Sequence, residues 1–254
     1  MYTTFIIGTA GAGKSLLVGT YANWLYEKKE YPITLNLDPG AVKLPYKPDV
    51  DVRNYIVIDD LMEKYGLGPN GALVMAADLI ATEIDKIRRE VEELKPDYVI
   101  VDTPGQMELF AFRASGPMIV DGLTEDPKVI TYLFDASFSS NPLNYVSNMF
   151  LATAVYHRFL LPQVYALSKI DLLPPEKLDE VLDWSENDEA LESAMETQLT
   201  DQKRLLSHGI LQAIAELGLT FELIPVSAKT SDGIVDLNAQ LTRIFAGGEE
   251  AISG

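Results

Sequence analysis

The stretch Gly8–Ser15, GTAGAGKS, follows the apolar run Phe5–Ile7 and leads into a segment with helical character. It matches the pattern GxxxxGK[ST], which requires a strand before it and a helix after it. Its glycines allow the backbone to curl so that successive N–H groups face phosphate oxygens. The N-terminus of the following helix adds a partial positive charge. The stretch therefore predicts a phosphate-binding loop, or P-loop, in an α/β fold.

The residues of this loop have distinct predicted contacts with a nucleotide. Lys14 is expected to reach the β- and γ-phosphates, and the Ser15 hydroxyl is expected to bind Mg²⁺. The predicted nucleotide contacts in this stretch are Gly11, Ala12, Gly13, Lys14, Ser15 and Leu16.

A second motif, DTPGQ, begins at Asp102 directly after the strand-like run Tyr98–Val101. A carboxylate that leaves a buried strand beside a P-loop suits the Mg²⁺ shell, so Asp102 is the second predicted metal ligand. The backbone N–H of Gly105 is expected to approach the γ-phosphate. DTPG alone is also a good turn sequence, and its place downstream of a P-loop is what makes it informative.

Two further motifs, SKID at residues 168–171 and SAK at residues 227–229, each follow an apolar run. Both are similar to the base-reading motifs of GTPases, although the first more often begins with asparagine. Asp171 is expected to accept hydrogen bonds from guanine N1–H and the exocyclic amine, a donor pair that adenine lacks. The Lys169 stem would lie over the base, and the Ala228 N–H would meet guanine O6. The pair of motifs predicts GTP and GDP rather than ATP as ligands.

Apolar runs alternate with longer amphipathic segments along the whole chain. Continuous Ile, Val, Leu and Tyr residues favour parallel strands buried on both faces, so we expect a three-layer α/β P-loop NTPase with a mainly parallel, doubly wound sheet. The predicted strands are Thr3–Ile7, Ile33–Leu37, Tyr98–Val101, Val129–Phe134, Val164–Leu167 and Phe221–Val226. The predicted helices are Lys14–Lys29, Asn70–Leu94, Met107–Val120, Pro142–Leu160 and Ile234–Phe245.

Two segments interrupt this alternation. Residues 39–71 form a long excursion with scattered Pro and Gly, and residues 174–218 read as an acidic helical insertion. Within the insertion, Glu176–Thr200 holds nine acidic residues and a single basic one, Lys177. We expect one P-loop domain over residues 1–254 that carries both segments.

Composition narrows the possible partners and the compartment. The formal net charge of −18 disfavours binding to nucleic acid, because a strongly acidic chain repels a phosphate backbone. The chain has no cysteine, which excludes disulfides, thiolate zinc sites and iron–sulfur clusters and fits a cytoplasmic protein. No secretory leader or membrane-spanning stretch is visible in the sequence, so no membrane partner is expected.

Three further segments bear on the protein family. They are the tripeptide Gly68-Pro69-Asn70, the segment NLDPG at Asn36–Gly40 and the run Gln106–Glu108. Together with the earlier motifs they resemble the GPN-loop GTPases, although that family more often has Ala at the position of Gly40. The resemblance implies a homodimer or paired heterodimer in which Asn70 reaches across to the phosphates of the other chain. It also links Asp38 to the magnesium and water network. The same resemblance implies that Gln106 and Glu108 place the attacking water.

The expected function is hydrolysis of GTP to GDP and phosphate with Mg²⁺, in a dimeric molecular switch or assembly factor whose protein client the sequence does not identify. One alternative is an ATPase of the partition-protein class, but such proteins carry an extra lysine where this P-loop has Thr9 and Ala10. A second alternative is a GTP-binding scaffold with negligible turnover, against which Gln106 and Glu108 argue. Arg113 could be imagined as an arginine finger, and we expect a solvated residue instead.

Overall fold

The computed structural model describes residues 1–247, and its seven strands form one parallel sheet. The strands are β1 (Tyr2–Gly8), β2 (Pro32–Asn36), β3 (Val50–Asp51), β4 (Tyr98–Asp102), β5 (Lys128–Asp135), β6 (Gln163–Ser168) and β7 (Leu223–Val226). Their order in the sheet is β3-β2-β4-β1-β5-β6-β7. The predicted α/β P-loop fold is therefore confirmed, and the short β3 is the one strand that the sequence did not predict.

Ten α-helices of the described residues surround the strands. They are α1 (Lys14–Glu27), α2 (Ile58–Tyr65), α3 (Pro69–Leu94), α4 (Ser115–Leu123), α5 (Ala136–Ser139), α6 (Pro142–Phe159), α7 (Pro175–Glu186), α8 (Asp188–Gln198), α9 (Asp201–Glu216) and α10 (Ile234–Phe245). Short 3-10 turns lie at Val52–Asn54, Met107–Leu109 and Ile170–Leu172. By its internal contacts the chain divides into two compact units, Met1–Thr131 and Tyr132–Gly254.

The first unit is built on the parallel pairing of β1, β2 and β4. Ile6 lies opposite Asp102 across β1 and β4, and Asn36 lies opposite the same aspartate across β2 and β4. Parallel strands end at the same edge of a sheet, so the segments that follow these three strands start side by side. This register places the P-loop, the segment after Asn36 and the DTPGQ motif next to each other.

The predicted helix Met107–Val120 is wrong in its first half. A 3-10 turn covers Met107–Leu109, and α4 begins at Ser115. Pro117 explains the late start, because proline is tolerated in the first turn of a helix but lacks the N–H that the helix interior needs. In a helix from residue 107 this proline would lie in the interior, whereas it occupies the first turn of α4.

The acidic insertion in the second unit consists of three helices, α7, α8 and α9. The chain changes direction at Asn187, whose backbone is extended and whose side chain accepts a hydrogen bond from Glu189 N–H at 3.1 Å. Thr200 is likewise extended and occupies the N-cap position of α9, without a side-chain hydrogen bond to the helix. Val181, Trp184, Leu191 and Met195 are buried, which leaves the carboxylates of α7 and α8 on the outer side.

Gly233 lies close against the backbone of β7, at a position that has no room for a side chain. It has φ +73°, and a Cβ there would lie 1.8 Å from the carbonyl oxygen of Pro225 in β7. Gly218 has a similar φ of +68°, and a Cβ at that position would have no atom of residues 1–247 within 4 Å. The two glycines therefore share a left-handed backbone and differ in the space around them.

We expect Gly233→Ala to destabilise the protein far more than Gly218→Ala. The left-handed backbone costs each alanine about 1–2 kcal/mol, and only Gly233→Ala must also displace β7. Urea unfolding of both variants measures the difference. Equal losses of unfolding free energy would contradict the clash.

Candidate nucleotide-binding site

Lys14 is a buried cation at the centre of the first unit's site. Its side chain is 5% exposed, and its ammonium donates hydrogen bonds to the carbonyls of Gly8, Thr9 and Gly105 at 3.0, 3.1 and 3.2 Å. Burial lowers the pKa of Lys14, and nearby carboxylates act in the opposite direction. Those carboxylates belong to Asp102, Asp38 and Glu108. The ammonium thus joins the P-loop to the DTPGQ segment, which lies far away in the sequence.

The P-loop has the backbone that the motif predicts. Gly11 and Gly13 have φ of +81° and +91°, a region that other residues rarely adopt. Gly13 caps α1, and the first N–H groups of a helix have no partner within the helix. The loop and the first turn of α1 therefore hold the six predicted phosphate contacts, which are Gly11, Ala12, Gly13, Lys14, Ser15 and Leu16.

Asp102 is the buried carboxylate at the end of β4, with 1% of its surface exposed. Its Oδ2 accepts a hydrogen bond from the Tyr46 hydroxyl at 3.0 Å, and the Ser15 hydroxyl lies close to this carboxylate. Within residues 1–247, Oδ1 is buried and has no hydrogen-bond partner. Burial raises the pKa of Asp102 to about 6. Burial, followed by the charge of Asp102, also raises the pKa of Tyr46, so the phenol keeps its proton and stays a donor.

These features fit Mg²⁺, because an unpartnered carboxylate oxygen beside a serine hydroxyl is a set of hard oxygen donors. Ser15 and Asp102 are the residues that would hold the ion. No group of three or more His, Asp or Glu side chains in the described part of the chain could hold a metal by itself. Further oxygen ligands would therefore come from phosphate or water.

Asp38 joins the turn after β2 to the DTPGQ segment. One of its carboxylate oxygens accepts a hydrogen bond from Gly105 N–H at 2.9 Å, and the other accepts one from Gly40 N–H at the same distance. Asn36 stabilises the turn. Its side chain accepts a hydrogen bond from Asp38 N–H at 3.0 Å and donates one to Asp51 at 2.9 Å. Gly105, which is expected to approach the γ-phosphate, is thus bonded to Asp38, which the resemblance links to the magnesium and water network.

Three residues around this turn escaped the sequence reasoning: Tyr46, Asp51 and Arg53. The Arg53 guanidinium binds Asp51 at 2.6 Å and the carbonyl of Ala41 at 2.7 Å, which fixes the loop that carries Asp38. Asp51 reaches its place because it lies in β3, a strand too short to show a sequence period. Their only sequence signal was proximity to the NLDPG segment.

The remaining predicted catalytic side chains are exposed. Gln106 and Glu108 lie at the start of the 3-10 turn after DTPGQ, and Glu108 is near enough to Lys14 to raise its pKa. Asn70 lies in the first turn of α3, behind Pro69 at the first helical position. Among residues 1–247, no hydrogen bond or ion pair connects the Asn70 side chain to the P-loop of its own chain.

Arg113 is not a simple solvated residue, contrary to the sequence-based expectation. Its guanidinium binds Asp78 of α3, with Nε donating to Oδ1 at 2.8 Å, and the Ser115 hydroxyl donates to the same oxygen at 3.1 Å. These bonds connect the helix that begins at Gly68-Pro69-Asn70 with the segment after DTPGQ. The hydrogen bond from Arg113 lowers the pKa of Asp78 below its ordinary value.

In the second unit, the SKID motif follows β6, and an ion pair holds the side chain of its lysine, Lys169. Lys169 has φ +62°, and its ammonium binds Asp135 at the end of β5 at 2.6 Å. The Ser168 hydroxyl donates to the carbonyl of Phe134 at 3.2 Å. Asp135 was missed by the sequence reasoning, although it ends a buried strand just as Asp102 does. Its bond to the ammonium limits the directions in which the Lys169 stem can lie.

The SAK motif follows β7 and contacts Asp171. The Ser227 hydroxyl donates to Asp171 Oδ1 at 2.7 Å, and the Lys229 ammonium lies 3.9 Å from Oδ2. Ser227 also accepts from Thr230 N–H at 3.2 Å, which fixes the turn that contains Ala228. The structure therefore brings the two predicted base-reading motifs together within this unit.

Comparisons with known proteins agree with this arrangement. Residues 6–247 match the family described as "Conserved hypothetical ATP binding protein". GPN-loop GTPase PAB0955 of Pyrococcus abyssi is 30% identical over 91% of this chain and 92% of its own length. The chain belongs to the GPN-loop GTPase family. The crystal structure "a GTPase in Apo form" from Pyrococcus abyssi superposes with a TM-score of 0.84, with 30% identity and 96% of each chain covered.

Longer members of the GPN-loop GTPase family match as well. GPN-loop GTPase 1 of Dictyostelium discoideum is 33% identical over 90% of this chain, and that of Saccharomyces cerevisiae is 32% identical over 91%. This chain spans 58% and 62% of the length of those two proteins. Within residues 1–247, no helix is both long and apolar enough to cross a bilayer.

The Asp78–Arg113 pair generates a pH prediction. Because the folded-state pKa of Asp78 is lowered, its contribution to stability is present above the unfolded pKa and is lost as the pH falls through the folded pKa. Arg113→Ala should cost at most about 1 kcal/mol at pH 7, the upper range for exposed ion pairs. Urea unfolding at low protein concentration should show this difference shrinking below about pH 4.

Arg88→Ala is the matched control, because Arg88 pairs with the more exposed Asp85 within one turn of α3 at 2.8 Å. That change should cost about 0.3–0.5 kcal/mol, the usual range for such pairs. A loss for Arg113→Ala that stays constant from pH 7 to pH 3 would show that the ion pair is not its cause.

Proposed function

We propose that this chain binds GTP and hydrolyses it to GDP and phosphate with Mg²⁺. The observation that carries the proposal is that the buried Lys14 lies within reach of the charge of buried Asp102 at the end of β4, where one carboxylate oxygen has no hydrogen-bond partner among residues 1–247. A buried ammonium amid backbone carbonyls is suited to phosphate oxygens, and a carboxylate oxygen that has no donor among residues 1–247 is suited to a cation. Membership of the GPN-loop GTPase family supports the same reaction.

The proposed reaction is in-line attack of water on the γ-phosphate, in which positioning and electrostatics supply most of the catalysis. Lys14 would hold the β- and γ-phosphates together with the N–H groups of the P-loop. Asp38, Gln106 and Glu108 would orient the attacking water through their carbonyl and carboxylate oxygens. When bound through Ser15 and Asp102, Mg²⁺ would neutralise charge that develops on the phosphate oxygens.

Guanine is the base that the residues of the second unit favour, although the matching family is described as ATP-binding. Asp171 presents a carboxylate whose Oδ1 is held by Ser227 at 2.7 Å. A fixed carboxylate accepts from the adjacent N1–H and amine donors of guanine, whereas the same edge of adenine presents an acceptor at N1. Adenine would therefore leave a lone pair facing the carboxylate, which costs binding free energy.

We expect ATP to compete with a labelled GDP analogue at least ~10²-fold less well than GTP does. Asp171→Asn should shift preference toward xanthosine nucleotides, because the amide offers a donor where guanine also has one. Asp232→Asn is the matched control, since the Asp232 carboxylate is in the same unit and accepts from the Thr230 hydroxyl at 2.6 Å rather than from the Ser227 hydroxyl. Equal competition by ATP and GTP would rule out the guanine assignment and favour an ATPase of the partition-protein class.

We further propose that the chain acts as a dimeric switch or assembly factor in which Asn70 serves the partner's site. Asn70 is exposed in the first turn of α3 and makes no bond to its own P-loop among residues 1–247. A side-chain amide in that position is available to a second copy. It would supply a polar group near the phosphates where other GTPases use an arginine finger.

Mixing two impaired variants tests whether Asn70 acts in trans. Asn70→Ala should slow turnover by ~10- to 10³-fold with little change in GTP affinity, because the contact matters mostly in the transition state. In a mixed dimer with Lys14→Ala, the intact P-loop of one chain meets the intact Asn70 of the other. Activity should then rise well above that of either variant alone.

Asn54→Ala is the control, since that asparagine lies in the same excursion, in a 3-10 turn away from Gly68-Pro69-Asn70. Its turnover should stay near that of the unaltered chain. If mixing Asn70→Ala with Lys14→Ala restores nothing, or if the active protein is a monomer at assay concentration, Asn70 serves its own chain or no catalytic purpose.

A further inference from the structure

Tyr46 connects the loop between β2 and β3 to the end of β4, and it belongs to none of the sequence motifs described above. It lies in the loop between β2 and β3, the same loop that contains Asp38. Its hydroxyl donates to Asp102 Oδ2 at 3.0 Å across 56 residues of sequence. The phenol therefore reaches from the loop to the buried carboxylate at the end of β4.

Gly19 of α1 makes room for this reach. A Cβ at Gly19 would lie 3.0 Å from the Cβ of Tyr46 and 3.5 Å from the first ring carbon, so the tyrosine packs directly on the helix backbone. Ser15 lies four residues earlier on α1, and residues four apart share a helix face. Tyr46 thus follows the face of α1 that carries the predicted metal-binding serine.

We propose that Tyr46 is a positioning residue for Mg²⁺: its hydroxyl holds one oxygen of Asp102 so that the other oxygen faces the ion. Oδ1 is buried and has no partner in the described part of the chain, and Oδ2 is the oxygen that Tyr46 occupies. A neutral hydroxyl suits this purpose. It fixes the carboxylate without adding a positive charge that would repel a cation, as an arginine or lysine would.

The inference rests on the proposed role of Ser15 and Asp102 as metal ligands. Groups that orient a metal ligand from behind change metal affinity by about 10- to 100-fold when they are removed. Tyr46→Phe removes the hydroxyl and keeps the ring that packs on Gly19. It should raise the Mg²⁺ dissociation constant of the GDP-bound protein by that factor.

The experiment is a Mg²⁺ titration followed through the release rate of a fluorescent GDP analogue. GDP affinity in excess chelator should change less than ~2-fold in Tyr46→Phe, because the nucleotide contacts themselves are untouched. Tyr55→Phe is the matched control: it removes a tyrosine hydroxyl bonded to the Glu90 carboxylate in the same unit. Its Mg²⁺ dissociation constant should stay within the same ~2-fold limit.

Gly19→Ala provides an independent variant. The added methyl group should push Tyr46 away from Asp102 and weaken Mg²⁺ binding, although alanine favours a helix over glycine by about 1 kcal/mol. A loss of metal affinity without a loss of fold stability would therefore arise from displacement of Tyr46. In the Tyr46→Phe background the same change should add little, because the hydroxyl is already gone.

Asp102→Ala separates failure of this inference from failure of the proposed function. If Asp102→Ala weakens Mg²⁺ binding while Tyr46→Phe and Gly19→Ala do not, Tyr46 only packs and the positioning role is wrong. If Asp102→Ala leaves Mg²⁺ binding unchanged, the metal assignment fails and the role of Tyr46 falls with it. Equal weakening by Tyr46→Phe and Tyr55→Phe would also overturn the proposal.

Discussion

The buried ammonium of Lys14 is the constraint on which the first unit depends. A cation with 5% exposure must be surrounded by acceptors, since an uncompensated buried charge costs several kcal/mol. Carbonyls at the end of β1 and at Gly105 supply those acceptors, and the Asp102 carboxylate lies nearby. They can converge only if β1 and β4 run parallel and end at one edge, which the pairing of Ile6 with Asp102 provides. The curl of the P-loop and the position of the DTPGQ turn follow from this requirement.

The strong sequence signals were those with a local physical cause. The six longer strands were predicted because strands buried on both faces must be apolar at every position, and that pattern is visible without a structure. β3 was missed because Val50 and Asp51 are too few to show any pattern. The start of α4 was misjudged because the predicted range placed Pro117 in the helix interior, whereas it lies in the first turn. The prediction of one domain over residues 1–254 remains a prediction.

The site residues also separate into those that a local motif marks and those that it does not. Lys14, Ser15, Asp102 and Asp171 could be singled out because each lies in a motif that follows a strand and whose residue types reflect backbone geometry, and their roles remain predictions. Their partners were not found, because each comes from a remote segment: Tyr46 is 56 residues from Asp102, and Asp135 is 34 residues from Lys169. No local pattern marks a residue whose partner is decided by tertiary packing. The catalytic roles of Asn70, Gln106 and Glu108 remain proposals that rest on the resemblance and on exposure.

The bond between Asp38 and the Gly105 N–H has a consequence for how a ligand is sensed. An N–H group serves one strong acceptor at a time, and Asp38 now holds this one at 2.9 Å. A phosphate oxygen that accepts from the same N–H must displace the Asp38 carboxylate. This displacement would break one of the hydrogen bonds between the turn after β2 and the DTPGQ segment. The Asp38 carboxylate is therefore an internal competitor of phosphate for the Gly105 N–H. If the γ-phosphate takes the Gly105 N–H as proposed, binding of that phosphate and release of the turn would be one exchange of hydrogen-bond partners.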